Sequence, residues 1–388
     1  MYLLPKPKTI KEQDGQMLLC HSTHIVMTKE VAETEMHAAK RLQEAIRQET
    51  GLILPFSVGE VREGDLSLGI AKTLPEQTYE ITIDEKGGQI SGGDGAGVLY
   101  GVETFCQIVQ QCGGILPCVQ IQDAPDMPNR GYYFDQTRGR VLKLEELKKI
   151  ADRMCRYKLN QLQLYVEHTY LFRDFSEMWR DQTPLTAEEI RELDSYCRER
   201  HIELVPSLAS FGHLCTLLST KTYGDLCEME DSWKEPFSFW NRMRYHTINV
   251  SDERSLPLIK KMIAEYMQLF SSNKFNICAD ETFCLGKYKS KKLAEERGVH
   301  RLYIDYVKEL AQFLVENGKI PMFWGDIIWN SPELMKELPE SMICLNWGYA
   351  PEQREDETRA IAQTGAVQYL CPGVCGWNLS LIHISEPT

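Results

Sequence analysis

Phe275-Asn-Ile-Cys-Ala-Asp280-Glu281-Thr282 is a short apolar run that closes on two adjacent carboxylates. Similar runs recur on either side of it, each followed by helix-forming sequence. Strands are expected near Gly131–Phe134, Gln161–Val166, Ile202–Ser207, Phe275–Ala279, Pro321–Trp324, Met342–Trp347 and Val367–Cys371. Helices are expected over Lys143–Tyr157, Thr186–Arg200, Leu256–Phe270 and Arg301–Asn317, the last stopping before Gly318. This rhythm predicts an α/β protein built on a (β/α)8 TIM barrel, incomplete because only seven of the eight strands are found. The ten residues Leu379–Thr388 read as translated sequencing-adapter DNA and are set aside, so His383 receives no role.

Before the barrel stands a different pattern. Ile25 and Val26 lie in a short apolar strand, Ala38–Thr50 has helical periodicity, and Tyr79–Asp84 alternates as a half-buried strand does. The glycines from Gly92 onward lack both phosphate-loop signatures and read as a tight turn before an amphipathic helix reaching Gln111. Three prolines between Pro117 and Pro128 close this region. The division is therefore a small α+β auxiliary domain over 1–127, a truncated barrel over 128–378, and the artefactual tail 379–388.

Composition excludes several functions. The 43 basic against 56 acidic residues leave a net charge of −13, which disfavours a nucleic-acid partner. No run of about 18 apolar residues and no leader-like amino terminus is found, so neither membrane insertion nor export is expected, and a cytoplasmic location follows. The thirteen cysteines are odd in number and scattered, as free thiols in a reducing compartment would be. None has zinc-site spacing, and neither a metal nor a cofactor is expected.

In a β/α barrel, chemistry belongs at the carboxyl ends of the strands. Asp280 and Glu281 occupy one such end; taken alone they could be solvated, metal-binding or catalytic. Arg130 precedes the first barrel strand and His213 follows the third, while Trp324 and Trp347 end the fifth and sixth. Indole faces suit sugar rings, because pyranose C–H bonds pack against an aromatic plane. Neighbouring residues on an extended strand point to opposite sides, so Asp280 and Glu281 are poorly placed to flank one bond as acid and nucleophile.

The stretches RGYYFDQTRGR, YKLNQLQLYVEHTYLF, SFGHL and CADETFCLGKYKS, with TYEITIDEKGGQISGGDGAGVLYGVETFCQIV in the first domain, are similar to motifs of glycoside hydrolase family 20, the β-N-acetylhexosaminidases, in its bacterial branch. That resemblance implies exo-acting removal of terminal N-acetylglucosamine or N-acetylgalactosamine from an oligosaccharide or glycoconjugate. It implies a substrate-assisted retaining mechanism, with Glu281 as the acid and base and Asp280 orienting the 2-acetamido group. It further implies sugar-binding roles for Arg130, His213, Trp324, Trp347, Tyr369 and Glu167. Departures from the family pattern fall at His168, Ser207, Ala209 and Cys371, where the family often has acids. Two alternatives remain: a carbohydrate-binding protein without turnover, and a related O-linked N-acetylglucosamine hydrolase, whose acid pair is Asp-Asp.

Overall fold

The computed structural model describes residues 1–236, 238–350 and 354–373; the tail 379–388 lies outside them. Contacts divide the chain into two compact units. The first comprises Met1–Tyr132 with Lys143–Leu162 and Glu192–Leu204, the second Tyr133–Leu142, Gln163–Arg191 and the chain from Val205 on.

The first unit is built on a seven-stranded mixed sheet. Its strands are β1 (Thr9–Leu18), β2 (Ile25–Met27), β3 (Phe56–Val58), β4 (Leu66–Ile70), β5 (Tyr79–Asp84), β6 (Gly87–Gly92) and β7 (Ile115–Asp123), in the order β1-β7-β5-β6-β4-β2-β3. The alternation of β5 buries Tyr79, Ile81 and Ile83 and turns Glu80 and Thr82 outward, as a strand covered on one face requires. Helices α1 (Lys29–Thr34) and α2 (Met36–Thr50) follow β2, and α2 buries Ala38, Ala39, Leu42, Ala45 and Ile46 before stopping at Gly51 in the left-handed region. Helix α3 (Gly95–Cys112) is buried along nearly its whole length. Its start is fixed by Asp94, whose carboxylate accepts Gly97 N at 2.7 Å and Gln77 N at 3.0 Å. The glycine run is thus a capped turn, as expected.

The barrel sheet contains β8 (Gly131–Asp135), β9 (Gln161–Val166), β10 (Glu203–Leu208), β11 (Lys274–Asn276), β12 (Ile320–Trp324), β13 (Ile343–Gly348) and β14 (Val367–Pro372). Each strand neighbours the next in sequence, and the pairs from β10 to β14 are parallel. This is the topology of a TIM barrel carrying seven strands among the described residues. All six residues of β9 are buried, which is what helices on one face and a packed interior on the other demand. The expected helices form as α4 (Leu144–Arg156), α6 (Ala187–Arg198), α9 (Ser255–Met267) and α11 (Val299–Glu316), joined by the short α5 (Ser176–Trp179), α7 (Cys215–Leu218), α8 (Phe239–Arg244), α10 (Lys291–Arg297) and α12 (Glu355–Ala362). Among the described residues no helix is long and apolar enough to cross a membrane.

One strand differs from its expected span by more than a residue at an end. β11 stops at Asn276 instead of reaching Ala279, because Cys278 and Ala279 take left-handed φ values of 59° and 65° that no ladder can accommodate.

Close packing also sets a test in the first unit. A Cβ on Gly97 would lie 2.2 Å from the Thr78 carbonyl oxygen, so α3 can approach β5 only with glycine there. Gly97→Ala is expected to lower stability by about 1–3 kcal/mol, read as a fall in the urea midpoint. An unchanged midpoint would show that the helix shifts without cost.

Candidate active site

The carboxyl ends of β10 and β11 bring three titratable side chains together. His213 Nε2 lies 3.3 Å from Asp280 Oδ2 and 3.3 Å from Glu281 Oε2. The imidazole is almost wholly buried, whereas both acids are partly open. It is an ion contact divided between two carboxylates, not a straight hydrogen bond to one. Burial alone would discharge the ring, but Asp280 and then the contacts to both acids outweigh it and raise the pKa to about 10. Asp280 responds in the opposite sense: burial pushes it up, yet His213 and Arg138 hold it below the usual aspartate value.

The backbone explains how two consecutive side chains reach one nitrogen. Glu281, like Cys278 and Ala279, has positive φ, 48° in its case, so the chain around Asp280 is not an extended strand. The expectation that the two carboxylates diverge is therefore corrected; alternation applies only while the strand persists. Such conformations cost roughly 1–2 kcal/mol each for residues with a Cβ. Local partners hold them: Asn276 Oδ1 accepts Cys278 N at 2.8 Å, Cys278 O accepts Trp324 N at 2.9 Å, and Tyr303 donates to Ala279 O at 3.0 Å. Tyr306, from the same helix α11, donates to Ser210 O at 2.9 Å and packs its ring 4.2 Å from Phe211. Gly212 completes the fit, since a Cβ there would stand 2.6 Å from the Asp280 carbonyl oxygen.

Asp326, two residues past β12, belongs to the site although no motif points to it. Its Oδ2 accepts Glu281 N at 3.0 Å, and its Oδ1 is buried with no hydrogen-bond partner among the described residues. Burial, reinforced by the charge of Asp280, raises its pKa to about 8. Asp326 therefore holds its proton more readily than an ordinary aspartate, and it supports the strained Glu281 backbone by accepting that one N–H.

The sugar-binding expectations divide. Arg130 is corrected: it stands at the amino end of β8, away from the catalytic end, and its guanidinium is occupied by Gln77 Oε1, Tyr100 OH and the carbonyls of Met127, Pro128 and Lys158. The arginine at the other end of the same strand, Arg138, lies in the site. It pairs with Asp135 Oδ2 at 2.8 Å and Glu167 Oε1 at 3.5 Å, and covers the Tyr165 ring at 4.5 Å. Its signal in the sequence is positional, a rigid multi-donor cation just past a strand's carboxyl end. Glu167 is buried, and its oxygens meet Tyr165 OH at 2.8 Å, Arg242 at 3.1 Å and Arg138 at 3.5 Å, so it holds two arginines in place.

Trp324 is nearly buried and meets Tyr133 edge to face at 4.9 Å. Tyr133 OH in turn bonds Ser207 Oγ at 3.0 Å, which lies 3.3 Å from Cys278 Sγ. Ser207, where the resemblance leads one to expect an acid, thus carries a buried hydroxyl with neutral partners. Trp347 ends β13 in an aromatic group with Trp329 and Tyr349, at ring distances of 6.0 and 5.1 Å. Tyr369 lies half-buried on β14, in register with Leu345.

With this geometry in view, comparison with known proteins is informative. Residues 1–124 match the profile "Glycosyl hydrolase family 20, domain 2" and residues 128–374 match "Glycosyl hydrolase family 20, catalytic domain". The chain is 24% identical over 363 residues to a β-hexosaminidase of Porphyromonas gingivalis, covering 84% of this chain and 45% of that protein. A Vibrio furnissii β-hexosaminidase is 26% identical over 310 residues, covering 72% and 48%. The chain therefore spans about half the length of these relatives. Among solved structures, a Streptomyces plicatus β-hexosaminidase variant in complex with product GlcNAc superposes with a TM-score of 0.79 at 19% identity, over 98% of this chain and 77% of that one.

Asp326 gives the site a pH signature. A carboxyl whose native pKa stands near 8, against an ordinary 3.8, keeps its proton while the unfolded chain gives it up. Its contribution to stability is full below the ordinary value and is lost as pH rises toward 8, by at most about 1.4 kcal/mol per pH unit. Asp326→Asn keeps an acceptor for Glu281 N but has no such proton. Urea midpoints of the variant should decline less than those of the parent between about pH 5 and 8. Parallel curves would mean that Asp326 is ionised.

Proposed function

The chain belongs to glycosyl hydrolase family 20, and from that membership and the site geometry we infer that it hydrolyses terminal β-linked N-acetylhexosamine residues by a substrate-assisted, retaining route. The observation that carries this reading is the pair of consecutive carboxylates turned onto one imidazole nitrogen. The ligating atoms of His213, Asp280 and Glu281 all lie within 4.8 Å of one another.

In the mechanism proposed, Glu281 protonates the glycosidic oxygen as the C1–O bond breaks. The acetamido carbonyl oxygen attacks C1 and forms a cyclic oxazolinium, while Asp280 accepts a hydrogen bond from the acetamido N–H and balances the charge that develops there. Glu281, now a carboxylate, takes a proton from water as that water attacks C1, and ring opening restores the acetamido group. His213 orients both carboxylates, and Arg138 takes the role expected of Arg130, directing a fork of donors toward the sugar's outer hydroxyls. Trp324, Trp347 and Tyr369 are assigned to the walls around the sugar.

The test compares an aryl N-acetyl-β-glucosaminide with the matching aryl β-glucoside, which lacks the acetamido nucleophile. Cleavage of the first alone is expected, and equal cleavage of both would remove substrate assistance. Glu281→Gln should lower kcat by roughly 10²–10⁴-fold on a poor leaving group while ligand binding persists. Unchanged turnover in that variant would sink the assignment of the acid.

A further inference from the structure

Helix α8 presents two different surfaces. Arg242 faces inward, reaching Glu167 Oε2 at 3.1 Å, while Phe239, Trp240 and Arg244 are exposed, Trp240 at 64%. The Arg244 guanidinium lies 4.9 Å from the centre of the Trp240 ring and 5.7 Å from that of Phe283, which is itself 40% exposed. This group is continuous with the acid: Phe283 N donates to Glu281 O at 2.8 Å, and Cys284 Sγ donates to Arg244 O at 3.0 Å. These bonds tie α8 and Phe283 to the segment that carries the acid.

Two properties set the chemistry of that ground. Exposed aromatic faces gathered beside a glycosidase acid suit a sugar ring in the leaving group. The cation among them has no carboxylate partner among the described residues, although the chain as a whole carries a net charge of −13. An exposed guanidinium suits an anion, which it can hold through two parallel N–H bonds.

We propose that Trp240, Arg244 and Phe283 form a leaving-group subsite selective for an acidic sugar, one bearing a carboxylate or a sulfate beside the bond that is cut. The proposal rests on the hydrolase reading above. It assigns the aromatic rings to the sugar ring and Arg244 to its anionic substituent.

The experiment compares N-acetylglucosamine β-linked to glucuronic acid, to glucose and to glucose 6-sulfate through the same hydroxyl, in both 1,3- and 1,4-linked series. An aryl N-acetyl-β-glucosaminide is assayed alongside. At low salt, kcat/KM for at least one acidic substrate should exceed that for its neutral counterpart by about tenfold, the scale of one charge-assisted hydrogen bond. Added salt should shrink the ratio, because the pair is exposed. Arg244→Gln should bring it near one, and Trp240→Ala should lower acidic and neutral disaccharides together. The ratio does not depend on how much of a variant is folded, so a poorly folding protein still answers. The arm that shows the preference separates carboxylate from sulfate. A ratio near one in the parent, or one that Arg244→Gln leaves unchanged, overturns the subsite while the hydrolase reading stands. No cleavage of any substrate, the aryl glycoside included, overturns the hydrolase reading and this one with it.

Discussion

A buried imidazolium between two carboxylates is the constraint on which the catalytic end of this barrel depends. Removing a charge from water is costly unless counter-charges lie within a few ångströms. His213 can remain protonated in so enclosed a place only because Asp280 and Glu281 both turn toward it. The turning requires left-handed backbone at non-glycine residues, and that strain requires the surrounding hydrogen bonds from Asn276, Tyr303, Trp324 and Asp326. The electrostatics of three side chains thus reach back into the choice of residues on β11, β12 and α11.

Charge balance governs the next layer as well. Arg138, from the β8 side, adds positive charge near Asp280 alongside the imidazolium. A full negative charge at Asp326 would work against that, and burial favours its protonated form. Beneath Asp280, the Tyr133–Ser207–Cys278 cluster supplies hydrogen bonds without charge. Glu167 is the exception that fits the rule: a fully enclosed carboxylate, ionised because two arginines face it.

Much of this was legible in the sequence, for physical reasons that can be named. Strands of a parallel sheet are apolar on both faces, so β12 stands out as an unbroken apolar run, and the turn before α3 announces itself through its glycines. The adjacent acids and His213 were legible from their places after strand ends. Arg130 and Arg138 were harder to tell apart, because both flank the same five-residue strand and only the direction of that strand separates them. The left-handed turn after Asn276 was illegible, since Cys278, Ala279 and Glu281 are not residues whose chemistry demands positive φ. Tertiary hydrogen bonds impose it. Asp326 gave no signal for the same reason: its role is to accept one backbone N–H from a segment 45 residues away.

Helix α11 deserves a last consequence. Two of its hydroxyls, Tyr303 and Tyr306, hold the loops after β11 and β10 by their carbonyl oxygens, and Phe211 packs against both rings. The loop that carries the acids and the loop that carries the imidazole are therefore moored to one rigid rod. Local opening of either must break contacts that also restrain the other, which makes them a single cooperative unit in amide exchange. Thermal fluctuation then moves Asp280, Glu281 and His213 together, so their mutual distances vary less than their positions do.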